Sequence, residues 1–268
     1  MLFFYYNSPS KEFQLYGYPF PLAFRRPFPY NLPIITREVT ALRHRKVQNL
    51  DKRMEAASGW LVAEPAAQKG RWREYFAGLS SQAGQTEDAS PAKHLYMELG
   101  CGKGKFLTAR ACADPDAAFI GIEGLDAVLI RGLERARELD ICNLRFVMTY
   151  VADIRDYFAD GELDGIYLNF SDPWPKPRHT KRRFTYGETL LRYRQILKPG
   201  GFVAFKTDNE DLFAFTLDEI ARLGLTVTEL SRDLHSPGCT YPAKDFTTEY
   251  EDKFSGKGKN INYVKIVF

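Results

Sequence analysis

Cysteine is scarce in this chain and is never paired at close spacing. Cys101, Cys112, Cys142 and Cys239 form no C-x-x-C pattern and have no histidine at metal-binding spacing. This arrangement disfavours a zinc site and a disulfide framework, and it is typical of reduced thiols in a cytoplasmic protein. We therefore expect a cytoplasmic location and no bound metal.

Long apolar runs are also missing. No segment reaches the roughly 18 to 20 apolar residues that a membrane-spanning helix needs. The chain begins M-L-F-F-Y-Y, but it lacks the basic segment and the small-residue cleavage site of a secretory signal. We expect neither membrane association nor secretion.

Neither sign of charge dominates, because 37 basic residues are balanced by 34 acidic residues. The resulting net charge of +3 does not by itself indicate a nucleic-acid partner. The basic residues do cluster, around positions 37–53, 176–183 and 253–259. Such clusters are typical of surfaces that bind a phosphate backbone. A solvated helix face is an equally good interpretation of the first cluster, which includes Arg37, Arg43, Arg45, Lys46, Lys52 and Arg53.

Composition divides the chain into three parts. Residues 1–35 are rich in Phe, Tyr and Pro without a regular period, which predicts a docked or disordered extension. Residues 36–93 carry a basic segment and end in a linker rich in Ser, Gln, Gly and Thr. Residues 94–268 alternate strand-like and helix-like segments. This alternation predicts an α/β domain with a mostly parallel sheet and helices on both faces.

The pattern within the third part predicts individual elements. The predicted strands are 95–99, 117–123, 144–151, 165–170, 202–205, 225–230 and 261–268. The predicted helices are 106–113, 125–139, 185–198 and 210–223. The third of these helices begins with T-Y-G-E, a capping-box pattern.

A glycine-rich turn follows the first predicted strand. Gly100, Gly102 and Gly104 predict a turn where the backbone approaches a ligand, and Glu98 lies two residues before it. The spacing G-x-G-x-G differs from the G-x-G-x-x-G of dinucleotide enzymes. A nicotinamide-dependent oxidoreductase is therefore disfavoured.

Acidic residues end the next two predicted strands. Glu123 lies 123 − 104 = 19 residues after the last glycine of the turn. A carboxylate at this point can accept both hydrogen bonds of a ribose diol. Asp153 follows the third strand and can accept from an adenine amino group. Each residue could instead be a solvent-facing strand end.

The segment Y-L-N-F-S-D-P-W-P-K-P-R-H, residues 167–179, is the most informative of the chain. An apolar strand ends there in polar residues, and ligands of open α/β sheets bind beyond the carboxyl ends of strands. Three prolines stiffen the loop, so that it can hold Asn169, Asp172 and Trp174 in fixed positions. A proline-rich surface connection is the alternative. It is disfavoured by the preceding strand and by the basic run that follows, namely Lys176, Arg178, Lys181, Arg182 and Arg183.

Five segments together resemble the bacterial tRNA (guanine-N7-)-methyltransferase family, in this order and spacing. They are E-L-G-C-G-K-G-K-F, G-I-E-G, N-F-S-D-P-W-P-K-P-R-H, L-K-P-G-G-F-V-A-F-K-T-D-N and T-E-Y-E. The similarity runs from about residue 37 to the end of the chain, and D-P-W-P-K with its basic tail is its most specific part. The resemblance implies a Rossmann-like class I methyltransferase with a seven-stranded sheet whose last strand is antiparallel.

The resemblance also implies the ligands and the site. S-adenosylmethionine would be the methyl donor and tRNA the partner, with the target guanine in the variable loop at tRNA position 46. Asp172 would be catalytic. The cofactor positions would be Glu98, Glu123, Asp153 and Asp172, together with the glycines of the turn. The substrate positions would be Lys176, Asp208, Thr248, Glu249, Tyr250 and Glu251.

Transfer to guanine N7 needs no general base, because this nitrogen carries no proton at neutral pH. Catalysis should then come mainly from positioning, with electrostatics second. Asp172 could orient the guanine or stabilise its developing positive charge. Trp174 could stack on the base or pack under the loop. The basic run would meet phosphates and make binding depend on salt.

Two other functions fit part of this pattern. A methyltransferase acting on a small molecule or another nucleic acid would keep the cofactor residues without needing the basic run. A non-catalytic RNA-binding protein on the same scaffold is disfavoured by Asp172 and the complete set of cofactor carboxylates. The sequence allows either a monomer or a homodimer.

Overall fold

The structure is a computed structural model, and it describes residues 47–82 and 91–268. The predictions for residues 1–35 and for Arg37, Arg43, Arg45 and Lys46 lie outside this part of the chain, as does most of the predicted linker.

Seven α-helices and seven strands form in the described residues. The helices are α1 (Leu50–Ala56), α2 (Trp72–Gln82), α3 (Lys105–Ala113), α4 (Asp126–Glu138), α5 (Gly187–Ile196), α6 (Glu210–Arg222) and α7 (Glu249–Ser255). The strands are β1 (His94–Leu99), β2 (Ala117–Glu123), β3 (Leu144–Met148), β4 (Leu163–Asn169), β5 (Leu197–Thr207), β6 (Thr226–Ser231) and β7 (Asn262–Val267). None of these helices is both long and apolar enough to cross a membrane.

The strands form one sheet in the order β3-β2-β1-β4-β5-β7-β6. The pairs from β3 to β5 are parallel, and β7 runs antiparallel to both β5 and β6. The predicted seven-stranded, mostly parallel sheet with an antiparallel last strand is therefore confirmed. The chain leaves β1 in one direction and returns to β4 on its other side. The carboxyl ends of β1 and β4 thus meet at the switch point of the sheet, where such folds bind ligands.

Helices cover both faces of the sheet, as the alternating pattern predicts. On one face, Trp72, Tyr193 and Phe213 of α2, α5 and α6 are buried in the main core cluster. On the other face, Phe106 and Leu133 of α3 and α4 are buried in a second cluster, which also contains strand residues of β2 and β3. Strand β2 is apolar and buried over Ala117–Ile122, up to its last residue, Glu123, which is expected where a parallel sheet is covered on both sides.

The segment 47–82 packs onto the sheet domain. Trp72 is fully buried, stacks on Phe158 with ring centroids 5.7 Å apart, and donates its indole N–H to the carbonyl of Tyr157 at 2.9 Å. Arg53 makes a bidentate pair with Glu134, with both N···O distances at 2.6 Å. The segment 47–82 therefore contributes Trp72 to the main core. Arg53 of the basic cluster has a structural role, because it pairs with Glu134 of α4.

Three local predictions are wrong. The fifth strand begins at Leu197, five residues before the predicted start and inside the predicted helix 185–198. The third strand ends at Met148, before the predicted Val151. The T-Y-G-E pattern does not form a capping box, because Thr185 is buried and its hydroxyl bonds that of Thr216 at 2.7 Å. A capping box does form at the start of α7, between Thr248 and Glu251.

The glycine turn after β1 needs glycine for two different reasons. Gly100, Gly102 and Gly104 all have positive φ, a conformation that is strained for other residues. At Gly102 an added Cβ would meet no atom within 4 Å, so the backbone there borders open space. At Gly104 the added Cβ would lie 3.0 Å from the Cα of Gly132 and 3.1 Å from the ring of Phe146. Gly104 thus allows α3 and α4 to pack closely, whereas Gly102 leaves room for a ligand.

Gly104→Ala should therefore destabilise the fold more than Gly102→Ala. Both substitutions place a side chain in the left-handed region, which costs about 1 to 2 kcal/mol. Only Gly104→Ala also overpacks the α3–α4 contact, at a further cost of about 1 to 3 kcal/mol. Urea unfolding of the two variants measures the difference, and equal free energies of unfolding would contradict the packing role of Gly104.

Candidate active site at the carboxyl edge of the sheet

The predicted cofactor residues Glu98, Gly102 and Glu123 lie where β1 and β2 end, next to the end of β4. Asn169 at the end of β4 donates its amide N–H to Glu98 of β1 at 2.7 Å, and both residues are buried. Gly102 of the turn donates its backbone N–H to Glu123 at the end of β2 at 3.1 Å. The glycine turn, two carboxylates and the start of the Asp172 loop therefore share one edge of the sheet.

Glu98 is a buried carboxyl group with a raised pKa. It is 1% exposed, and burial raises its pKa to about 8, although the bond from Asn169 acts in the opposite direction. Its second oxygen, Oε2, is buried and finds no hydrogen-bond partner among the described residues. A buried acceptor of this kind is costly unless a ligand satisfies it. The site is suited to a ligand that presents a cationic N–H donor beside the glycine turn.

Glu123 ties the turn to the following helix. Its carboxylate accepts from the backbone N–H of Gly102 at 3.1 Å and from that of Leu125 at 3.0 Å. A carboxylate offers about four acceptor positions, so two remain for a ligand. The side chain is partly exposed, as a ribose-binding residue must be.

Asp153 lies beyond the end of β3 and is engaged within the protein. It accepts from the guanidinium of Arg155 at 2.6 and 2.9 Å and lies 3.8 Å from Arg192. The hydrogen bonds from Arg155 lower its pKa to about 2, so it stays ionised across the neutral range. An adenine amino group would have to share this carboxylate with Arg155.

The loop after β4 holds two bulky residues in the left-handed region. Phe170 has a φ of +54° and Trp174 a φ of +43°, and the exposed side chain of Asp172 lies between them. Such conformations cost on the order of 1 to 3 kcal/mol each and persist only when surrounding contacts enforce them. The backbone N–H of Phe170 is fixed by the carbonyl of Lys206 on β5 at 2.9 Å.

The basic run after the loop divides into two groups. Lys176, Arg178 and Lys181 are exposed, as the predicted phosphate contacts require. Arg182 and Arg183 instead face the loop, contrary to the prediction. The Arg182 guanidinium lies 4.9 Å from the ring centre of Trp174. That of Arg183 binds loop carbonyls.

Trp174 has packing partners of its own. Its ring stands perpendicular to that of His179, with centroids 5.6 Å apart, and it lies against Arg182. Its packing role under the loop therefore has support, and stacking on a base stays a prediction.

The predicted substrate residues on α7 meet this loop. Tyr250 is 42% exposed, its ring lies 5.0 Å from that of Phe170, and its hydroxyl donates to Asp208 at 3.2 Å. Lys259 donates to the same carboxylate oxygen at 2.8 Å. Asp208 and Tyr250 are therefore together at the rim of the site.

The neighbours of Tyr250 have structural partners. Thr248 caps α7, and Glu249 accepts from Arg135 at 2.9 Å. Glu251 is 0% exposed, and its carboxylate binds Lys206 and His235 at 3.1 and 2.8 Å. This carboxylate is buried and bound to other side chains, so the structure assigns Glu251 a structural role, and its binding of substrate stays a prediction.

Lys206 connects β5 to the segment that precedes α7. Its ammonium donates to the carbonyls of Ala243 and Phe246 at 2.7 and 2.8 Å as well as to Glu251. Burial lowers the pKa of Lys206, and the Glu251 carboxylate opposes this shift. The sequence places Lys206 in a polar cluster after a strand but carries no signal of its partners.

Comparison with known proteins shows the family. Residues 92–264 match the family described as putative methyltransferase. The tRNA (guanine-N(7)-)-methyltransferase of Halalkalibacterium halodurans is 41% identical over 201 residues, which cover 75% of this chain and 84% of that protein. The enzyme of the same name from Lachnoclostridium phytofermentans is 41% identical, covering 77% of this chain and 90% of that protein. The one from Streptococcus gordonii is 38% identical, covering 85% of this chain and 100% of that protein.

The family match over residues 92–264 includes every site residue from Glu98 to Glu251. The three relatives are each at least 38% identical and are covered over at least 84% of their own length. This chain belongs to the tRNA (guanine-N7-)-methyltransferase family.

Proposed function

We propose that this protein transfers the methyl group of S-adenosylmethionine to N7 of a guanine in tRNA, and that the target is the variable-loop guanine at position 46. The observation that carries the proposal is the exposed Asp172 on a constrained loop, directly after the strand whose Asn169 binds Glu98 beside the glycine turn. Family membership supports the same reaction. We place this activity in the cytoplasm.

The cofactor fits the residues at the edge of the sheet. The Oε2 atom of Glu98, which has no partner within residues 47–82 and 91–268, can accept from the ammonium group of S-adenosylmethionine, which removes the cost of its burial. Glu123 can bind the ribose hydroxyls, and Asp153 the adenine amino group. The open space at Gly102 lets the backbone approach the ligand. When bound, S-adenosylmethionine supplies a methyl group activated by a sulfonium.

Asp172 acts on the guanine in this proposal. Its carboxylate can accept from the N–H groups of the Watson–Crick edge and so hold the ring in one orientation. It also stabilises the positive charge that develops on the ring during transfer. The N7 lone pair carries no proton, so the protein needs to position the base and has no proton to remove. Such positioning contributes several kcal/mol to catalysis, on the scale of effective molarity.

The tRNA is recognised around this loop. Lys176, Arg178 and Lys181 are exposed and can bind phosphates. Asp208 and Tyr250 form the other side of the site and can contact the base or its neighbours. Guanine N7 lies on an edge that side chains cannot reach inside an RNA helix, so the base has to be unpaired or splayed out.

The proposal is tested by transfer of labelled methyl from S-adenosylmethionine to an unmodified tRNA transcript and to a transcript in which guanine 46 is changed to adenine. Label on the first alone supports both parts of the proposal. Label on both keeps the methyltransferase and refutes the target position. Label on neither refutes the proposed reaction and favours a small-molecule substrate.

Asp172→Asn should reduce kcat strongly without unfolding the protein. The substitution keeps the shape of an exposed side chain and removes its charge, so we expect a loss on the order of 100-fold to 1,000-fold, as for other electrostatic contacts to a transition state. Asp218→Asn on the exposed side of α6 removes the same charge away from the site and is the matched control. A wild-type kcat in Asp172→Asn would contradict the catalytic role.

Cofactor binding should depend on pH through Glu98. The pKa of about 8 in the free protein means that this carboxyl is largely protonated at pH 6. A ligand ammonium requires the ionised form, so binding releases a proton and affinity rises between pH 6 and 8, by up to about tenfold per pH unit. Calorimetric titration with S-adenosylhomocysteine measures this dependence, and Glu98→Gln should remove it. An affinity that is flat over this range in the wild type would disprove the contact.

Lys176→Ala should weaken tRNA binding and lower its salt dependence. Loss of one phosphate contact reduces the slope of log affinity against log salt by about one. Lys93→Ala serves as the control, since Lys93 precedes β1 at the opposite edge of the sheet and its side chain is 70% exposed. Equal slopes for Lys176→Ala and the wild type would show that Lys176 does not contact a phosphate.

A further inference from the structure

One arginine of the basic run binds the Asp172 loop from inside. Arg183 donates its Nε–H to the carbonyl of Pro173 at 3.0 Å and an Nη2–H to the carbonyl of Trp174 at 3.2 Å. Its guanidinium also lies 4.3 Å from the ring centre of Phe215 on α6. A single, partly buried side chain thus joins the loop to a helix of the sheet domain.

The two carbonyls flank the strained residue of the loop. The Pro173 carbonyl precedes the Trp174 backbone, whose φ is +43°, and the Trp174 carbonyl follows it. Pro173 and Pro175 have no backbone N–H, so this part of the loop cannot anchor itself through amide donors. Arg183 supplies donors from outside this part of the loop and binds the carbonyls on both sides of Trp174.

We propose, on the basis of the proposed function, that Arg183 is a positioning residue for methyl transfer. By binding the carbonyls of Pro173 and Trp174, it holds the adjacent Asp172 where the guanine binds, and it does not contact phosphate. The guanidinium supplies both donors in one rigid plane. Lysine keeps the charge but presents a single rotating ammonium.

This role predicts a specific pattern of kinetic change. Without the fork, Asp172 moves relative to the base, and a misplacement of about 1 Å costs on the order of 100-fold in rate. Binding of tRNA is unaffected, because the exposed Lys176, Arg178 and Lys181 remain. If Arg183 instead bound a phosphate, its substitution would weaken tRNA binding and leave kcat unchanged.

The test compares Arg183→Lys and Arg183→Met with the same substitutions at the exposed Arg178. We expect both Arg183 variants to lower kcat by about 10-fold to 100-fold, with the KM for tRNA and the salt slope of binding unchanged. Arg178→Met should instead lower the salt slope by about one, and Arg178→Lys should retain it. The proposal is overturned if Arg183→Lys keeps the wild-type kcat while Arg183→Met raises KM and lowers the salt slope.

Hydrogen exchange without any substrate gives an independent readout. In both Arg183 variants the amides of Phe170 and His179, which are hydrogen-bonded at the two ends of the loop, should exchange faster than in the wild type, whereas those of β4 should not change. The unchanged β4 amides show that the variants are folded. Unchanged exchange in the loop overturns the proposal whatever the activity. If the wild type transfers no methyl to tRNA, the proposed function fails, and exchange still decides whether Arg183 holds the loop.

Discussion

The buried hydrogen bond between Asn169 and Glu98 is the interaction on which the site depends. It joins the ends of β1 and β4, the two strands that meet at the switch point of the sheet. Beyond β1 the chain enters the glycine turn, and beyond β4 it enters the loop that carries Asp172. The bond therefore sets the distance between the cofactor side and the substrate side. Its cost is a buried carboxyl with one oxygen that finds no partner in the described part of the chain, and a bound cofactor would offset this cost.

Lys206 of β5 fixes the loop that follows β4 and the segment that precedes α7. Its backbone carbonyl binds the N–H of Phe170 at the start of the loop. Its buried ammonium binds Glu251 and the carbonyls of Ala243 and Phe246, which fixes the segment leading to α7. The loop and α7 are thus held by the same residue, and the rings of Phe170 and Tyr250 meet between them. The strands therefore fix the positions of the exposed side chains on the loop and on α7, because both segments are hydrogen-bonded to β5.

The parts of the site that follow local patterns could be predicted from the sequence. Strand ends, the glycine turn and the spacing from Gly104 to Glu123 depend on residues close together in the chain, so their period and spacing are visible. The T-x-x-E spacing at Thr248 is also a local pattern that indicates a capping box, although the family resemblance implies a substrate role for the same residues.

Contacts between distant residues could not be predicted. Lys206 and Glu251 are 45 residues apart, and nothing in either segment indicates that both are buried together. Arg178 and Arg183 look alike in a basic run, and only the packing of the loop against Phe215 turns one of them inward. The bond between the hydroxyls of Thr185 and Thr216 is another contact between distant residues, and it replaces the predicted capping box.

Catalysis in this site depends on the positioning of the two substrates and requires no proton transfer. Asp172 stands exposed on a constrained loop, and the N7 atom of guanine has no proton to lose. The rate of a single turnover, with enzyme in excess and both substrates bound, tests this claim most directly. The account predicts a rate constant that is flat from about pH 6 to 9 and shows almost no change in heavy water. A rate that rises tenfold per pH unit, with a clear solvent isotope effect, would contradict it and require a general base.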